Sequence, residues 1–184
     1  RFGASREGFP CIVGVGPRAA LPHATPGGSR VADDDFVLVD WGARWAGYHS
    51  DLTRVLVTGR ISRKFREIYA TVFEAQRRAI AAIRPGATAQ QVDAAARRFI
   101  AEAGYGRWFD HGLGHGIGLD IHEAPRLTAQ SDLVLKAGMV VTVEPGIYLP
   151  GWGGVRLEDD VLVTRQGAEV LTSLPKQLDQ IVLH

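Results

Sequence analysis

Four carboxylates and a cluster of histidines have the types and spacing to do chemistry in this sequence. Phe36-Val37-Leu38-Val39 leads into Asp40, and after Trp45-Ala46-Gly47 the chain resumes with Leu52 and Val55-Leu56-Val57, a pattern of two buried strands joined as a hairpin. A turn about Trp45-Ala46 places Asp40 directly opposite Asp51, with Cβ atoms about 5 Å apart on one face. Farther on, Met139 to Val143 ends in Glu144, a Gly/Pro turn follows, and Gly154 to Leu157 precedes Glu158. A turn centred on Gly151 sets Glu144 opposite Glu158. Two ionised carboxylates facing each other at the ends of apolar strands repel and lose hydration, so they persist only if one is protonated or a cation lies between them. Two such pairs point to metal. The bland alternative is a different register, with the acids solvated or paired with Arg54 and Arg156.

His111, His115 and His122 fall within twelve residues, the first two among Gly112, Gly114, Gly116 and Gly118. Glycines permit unusual backbone angles and close approach of a ligand. Three histidines beside four acids shift the reading from structural imidazoles toward one ligand and two helpers. Carboxylate mixed with imidazole suits Mn, Co, Fe or Zn. Cys11 is the single cysteine, so an all-cysteine zinc site is excluded; in its apolar stretch it reads as a small buried hydrophobe.

The elements that must position these groups follow from periodicity. Residues 10 to 16 are a short apolar run, read as a strand, and Leu21-Pro22-His23-Ala24-Thr25-Pro26-Gly27 cannot continue regular structure. Phe65, Ile68, Tyr69, Val72, Ala79, Ile80 and Ile83 recur near a 3.6-residue period and stop at Pro85-Gly86, an amphipathic helix over 62–83. Thr88 with Gln91 forms a capping box for a second helix that runs to Gly104. The plan is hairpin, two helices, hairpin. Each hairpin places acid, any residue, glycine after a Val-rich strand (Asp40-Trp41-Gly42, Glu144-Pro145-Gly146), which points to an internal duplication.

The whole is one ordinary domain: 184 residues, 46% hydrophobic, 22% charged. A formal net charge of +1 with scattered Lys and Arg gives no basic stripe for nucleic acid or an anionic membrane, and no apolar run is long enough to span a bilayer. A cytoplasmic protein with a small neutral partner is expected. The sequence opens on Arg1 without a start signal of its own, and a preceding N-terminal segment or domain is expected to be missing.

Several ordered motifs together resemble the pita-bread metallopeptidases (family M24), the group of methionine aminopeptidase, aminopeptidase P and prolidase. They are Leu21-Pro22-His23, Val39-Asp40-Trp41-Gly42, Ser50-Asp51-Leu52-Thr53-Arg54, Gly114-His115-Gly116-Ile117-Gly118, Ile121-His122-Glu123-Ala124-Pro125, Val143-Glu144-Pro145-Gly146 and Gly154-Val155-Arg156-Leu157-Glu158-Asp159. The resemblance implies an α+β pita-bread fold, two pseudo-symmetric α/β halves around a curved antiparallel sheet, with residues 1–184 as a catalytic domain lacking the family's preceding helices. It implies that Asp40, Asp51, His115, Glu144 and Glu158 are ligands of two divalent ions, manganese first with cobalt or zinc as alternatives, and that Asp51 and Glu158 bridge them. His23 and His122 are implied to contact the substrate or its carbonyl, His111 to line the pocket, and Arg156 to stand beside Glu158. A hydroxide bridging the ions is the implied nucleophile, with Glu144 passing its proton to the leaving nitrogen.

Leu21-Pro22-His23, Ile147-Tyr148 and Gly153-Gly154-Val155-Arg156 look more like the prolidase and aminopeptidase P branch, so the implied substrate is a small peptide with proline in second position, cleaved before the proline by a homodimer. His49 reads as a neighbour of Asp51, and Asp159 and Asp160 as structural. Two rivals keep the fold without metal: a creatinase-like hydrolase and a non-enzymatic protein-binding module.

Overall fold

A computed structural model of the chain describes residues 3–33 and 35–183. In chain order its strands and helices are β1 (Arg6–Glu7), β2 (Ile12–Val15), β3 (Phe36–Trp41), β4 (Ala43–Trp45), β5 (Tyr48–His49), β6 (Leu52–Thr58), α1 (Arg63–Ala82) and α2 (Ala89–Glu102). Then follow β7 (Gly114–Gly116), β8 (Glu123–Leu127), β9 (Val140–Val143), β10 (Gly146–Leu149), β11 (Gly153–Arg156), β12 (Asp159–Val163), β13 (Ala168–Val170) and β14 (Val182–Leu183).

Both helices form where periodicity and caps predict. Ser62 Oγ accepts from Phe65 N–H at the start of α1. Thr88 and Gln91 make the reciprocal capping box of α2, worth about 1 kcal/mol relative to an alanine cap. Phe65, Ile68 and Val72 of α1 and Val92, Ala96 and Ile100 of α2 are buried in one core with Leu38, Val55 and Val57 from one sheet and Val141, Val143, Val161 and Val163 from another. No described helix is long and apolar enough to cross a membrane.

Besides the small sheets β1-β4-β5 and β10-β11, a four-stranded sheet has the order β14-β6-β3-β2, antiparallel except for the parallel β14–β6 edge, and a five-stranded sheet runs β13-β12-β9-β7-β8, antiparallel throughout. The two larger sheets meet where Glu158 N–H donates to Thr53 O (3.2 Å) and Arg54 Nη1 donates to Glu158 O (2.6 Å). The acid-bearing strands of the two sheets therefore lie side by side.

Four sequence expectations change. The first hairpin turns one residue later than expected: Trp45 pairs with Tyr48, and Ala46 (φ 49°) with Gly47 (φ 91°) forms a two-residue turn whose positive φ angles Gly47 accommodates. The register therefore moves by two, and Asp40 faces Thr53, not Asp51. Second, Gly114–Gly116 is a strand. None of Gly112, Gly114, Gly116 and Gly118 has positive φ; a Cβ on Gly114 would lie 2.0 Å from Thr142 O and one on Gly116 2.3 Å from Ala124 O. Gly114 and Gly116 thus serve the close approach of neighbouring strands. Third, part of the expected Gly/Pro turn is β10, paired with β11. Fourth, Cys11 is only partly buried.

Candidate metal centre

Because the second hairpin keeps its expected register, Val143 pairs with Asp159 on one side of the acids and Gly146 with Arg156 on the other, and Glu144 faces Glu158 between them. In the first sheet Asp40 is the last residue but one of β3, opposite Thr53, and Asp51 immediately precedes β6, two residues from Thr53 and so diagonal to Asp40. The corrected register still leaves Asp40 and Asp51 on one face.

His115 completes the cluster from β7. One nitrogen of its ring, one oxygen of Asp51 and one of Glu158 lie within 4.8 Å of one another. His115 Nε2 is 3.4 Å from Glu144 Oε1 and 3.8 Å from Asp51 Oδ2. His115 Nδ1 donates to Gly116 O (3.0 Å), which leaves the Nε2 lone pair facing the carboxylates, the tautomer a metal ligand requires. Burial lowers the His115 pKa to about 4, so its imidazole is neutral at pH 7.

Hydroxyls and one guanidinium hold the acids in place. Thr53 Oγ1 donates to Glu158 Oε2 (2.6 Å) and accepts from Arg156 Nε (3.1 Å). Thr142 Oγ1 donates to Glu144 Oε1 (3.2 Å) and accepts from His115 N–H (3.0 Å). Arg156 pairs with Asp40 (Nη2 to Oδ2, 2.5 Å) and is linked to its neighbour Glu158 through Thr53. Its Nη1 donates to the Tyr148 hydroxyl (3.0 Å), which lies 2.9 Å from His111 Nε2. Thr53, Thr142 and Tyr148 carry these links, although the sequence reading gave none of them a role. Thr53 and Thr142 each sit two residues from an acid, on the same strand face, the signal that could have found them.

The centre carries far more negative than positive charge. Four carboxylates share it with one guanidinium, and burial, with repulsion from neighbouring acids, raises three of them, Asp51, Glu144 and Glu158. Asp51 is pushed up to about 9, by burial first and then by Asp40. Burial likewise raises Glu144 to about 7, and it raises Glu158 well above the usual range. Asp40 Oδ1 and Asp51 Oδ1 are buried without a hydrogen-bond partner. Buried acceptors without donors, converging with a neutral imidazole, fit a divalent cation held by oxygen and nitrogen.

Of the other expected residues, His122 packs its ring edge-on against His115 at 4.3 Å, and His23, exposed, lines the same cleft of about 510 Å³. His111 forms part of its wall, and burial lowers its pKa to about 4. His49 is set apart, its Nδ1 against Gly118 O. Asp159 turns to the other side and pairs with Arg54. Asp160 does more than expected: its Oδ2 accepts from Asp51 N–H (3.1 Å) and so helps to set Asp51.

The family model described as metallopeptidase family M24 matches residues 1–165. The chain belongs to this family. Membership in M24 agrees with the oxygen-rich donor set, since M24 peptidases use divalent metal. The M24 chain is 49% identical over 176 residues to the Xaa-Pro dipeptidase of Pyrococcus furiosus, covering 96% of this chain and 51% of that protein. Its fold superposes on the Xaa-Pro dipeptidase of Bacillus anthracis with a TM-score of 0.95 at 51% identity, covering 98% of this chain and 50% of that one. The X-Pro aminopeptidase of Thermotoga maritima gives a TM-score of 0.95 at 43% identity, with 98% and 51% covered. The architecture is thus the α+β pita-bread fold. The chain spans about half the length of these relatives.

Proposed function

We propose that this chain carries the metal centre of an Xaa-Pro peptidase of the prolidase or aminopeptidase P type, hydrolysing the bond before a proline in second position. The observation that carries the reading is the convergence of one oxygen of Asp51, one of Glu158 and a ring nitrogen of His115 within 4.8 Å, with buried oxygens of Asp40 and Asp51 left without hydrogen-bond partners. Relatives named Xaa-Pro dipeptidase at nearly half identity support the substrate class. In this reading Asp40, Asp51, His115, Glu144 and Glu158 would hold two divalent ions, manganese in first place. Such ions supply Lewis-acid polarisation of the scissile carbonyl and a water acidified to a pKa of about 7 as nucleophile.

The chain's own residues then orient the peptide and move the proton. Glu144, fixed by Thr142, takes the proton of the attacking water and delivers it to the leaving nitrogen. His122 and His23, at the cleft wall, donate to the carbonyl oxygen as charge develops on it. His111 and Tyr148 brace Arg156, which holds the Asp40 carboxylate in place. The full-length protein supplied with Mn²⁺ should cleave dipeptides or tripeptides with proline in second position and spare alanine counterparts. Absence of bound metal in folded, Mn²⁺-supplemented protein would sink this reading and favour the metal-free rivals.

A further inference from the structure

Glu144 and Glu158 sit in a gap in the sheet. The β9–β12 ladder ends at Val143 with Asp159, the β10–β11 ladder begins at Gly146 with Arg156, and Glu144, Pro145, Leu157 and Glu158 belong to neither. A long backbone bond, Leu157 N–H to Pro145 O at 3.4 Å, spans the gap. Backbone carbonyls buried there need donors from elsewhere. Gln76 supplies them: its Nε2 donates to Val143 O (3.0 Å) and to Leu157 O (3.1 Å), the carbonyls just ahead of the two acids.

Gln76 is completely buried on the face of α1 that also buries Val72, Ala75 and Ala79. Helix packing alone is served better by an apolar residue there, because a buried amide costs stability unless its groups are satisfied. This amide is satisfied at both ends. Its Oε1 accepts from Lys176 Nζ (2.7 Å), which fixes which end faces the carbonyls. Lys176 also pairs with Asp159, and Asp159 with Arg54, whose Nη1 donates to the carbonyls of Thr53 (2.9 Å) and Glu158 (2.6 Å). The network reaches the backbone of every acid-bearing segment except that of Asp40, from behind the sheets: Val143 and Leu157 beside the glutamates, and Thr53 two residues from Asp51.

We infer that Gln76 is a positioning residue for the metal centre: it fixes the separation of the backbones carrying Glu144 and Glu158, and through them the spacing of two metal subsites. The inference rests on the two-metal reading above. Gln76 touches neither substrate nor metal, so it acts through the glutamates.

The test uses the full-length protein and Mn²⁺ alone, followed by isothermal titration and by the electron paramagnetic resonance signal of a spin-coupled pair. Gln76→Leu removes donors and acceptor. Gln76→Glu keeps the volume and the Lys176 contact but loses the paired donors. Both variants should bind the second Mn²⁺ about 10–100-fold more weakly, lose the coupled signal and lose kcat by a similar factor, with KM within about twofold. A folded variant of either kind that binds both ions with the parent's affinity and signal overturns the inference. Should neither variant fold, ¹⁵N-glutamine labelling of the parent decides: the Gln76 side-chain amide should shift on Zn²⁺ titration, and an unmoved resonance overturns the proposal. A parent that fails to bind two ions defeats the two-metal reading itself, whereas a two-ion parent matched by its folded variants defeats only the role of Gln76.

Discussion

At the scale of single residues, the centre separates groups that converge on buried oxygens from groups that face the cleft. His122 belongs to the second kind, since its ring rests edge-on against His115 while its side chain is exposed. Replacing His122 with alanine should therefore lower kcat about 10²–10³-fold, the usual cost of one lost donor to a developing oxyanion. Metal content, measured by plasma emission, should stay at the parent's level. An emptied site with unchanged activity per bound metal would transfer His122 to the ligand set. Acid and histidine identities were legible because motif spacing names residue types. The hydroxyls of Thr53, Thr142 and Tyr148 were not, because a threonine in a strand has the same sequence signature whether it packs or bridges two functional groups.

At the scale of elements, the helices were readable to within two residues at each end, since caps and a 3.6-residue period leave little choice. Register was harder. The second hairpin follows from its tip, whereas the first depends on which two residues accept positive φ, and moving that turn by one position turns a facing pair of aspartates into a diagonal one. The strand Gly114–Gly116 escaped because glycine carries no strand signal; its glycines reflect neighbours that only the fold supplies. Gly114→Ala tests that cause. With backbone oxygen 2.0 Å from the new Cβ, β7 must withdraw from β9 and carry His115 with it. Destabilisation of about 1–3 kcal/mol is expected, read as a lower midpoint in thermal denaturation, together with weakened Mn²⁺ binding by titration calorimetry. A variant with the parent's midpoint and affinity would refute the packing account.

At the scale of the whole molecule, the buried charge couples folding to pH. In the metal-free protein Asp51 titrates near 9 against an ordinary 3.8, Glu144 near 7 against 4.5, and Asp160 near 7 against 3.8. The folded state thus holds protons that the unfolded chain has released, and stability falls as pH rises through these windows. His111 and His115, lowered from 6.5 to about 4, act in the opposite sense, adding stability as pH rises from about 4 to 6.5. Between about pH 6.5 and 9 the raised acids set the trend. The melting temperature without metal should fall by several degrees between pH 7 and 9. The increment gained on adding Mn²⁺ should grow over the same range, since the ion takes the place of the protons. Differential scanning calorimetry at fixed ionic strength measures both, and a metal increment that shrinks with rising pH would contradict the charge account.

The β10–β11 hairpin lends itself to engineering. Its tip bends at Gly151, where φ is 78° and an added Cβ would meet nothing within 4 Å, while Trp152 beyond it is anchored against Phe36. New residues grafted between Pro150 and Gly151 lengthen the tip without altering which residues pair below it. Closing a loop of twice the length costs only about 0.6 kcal/mol. A library of inserted loops at that point could thus diversify the surface while the ladder beneath keeps Glu144 and Glu158 in place.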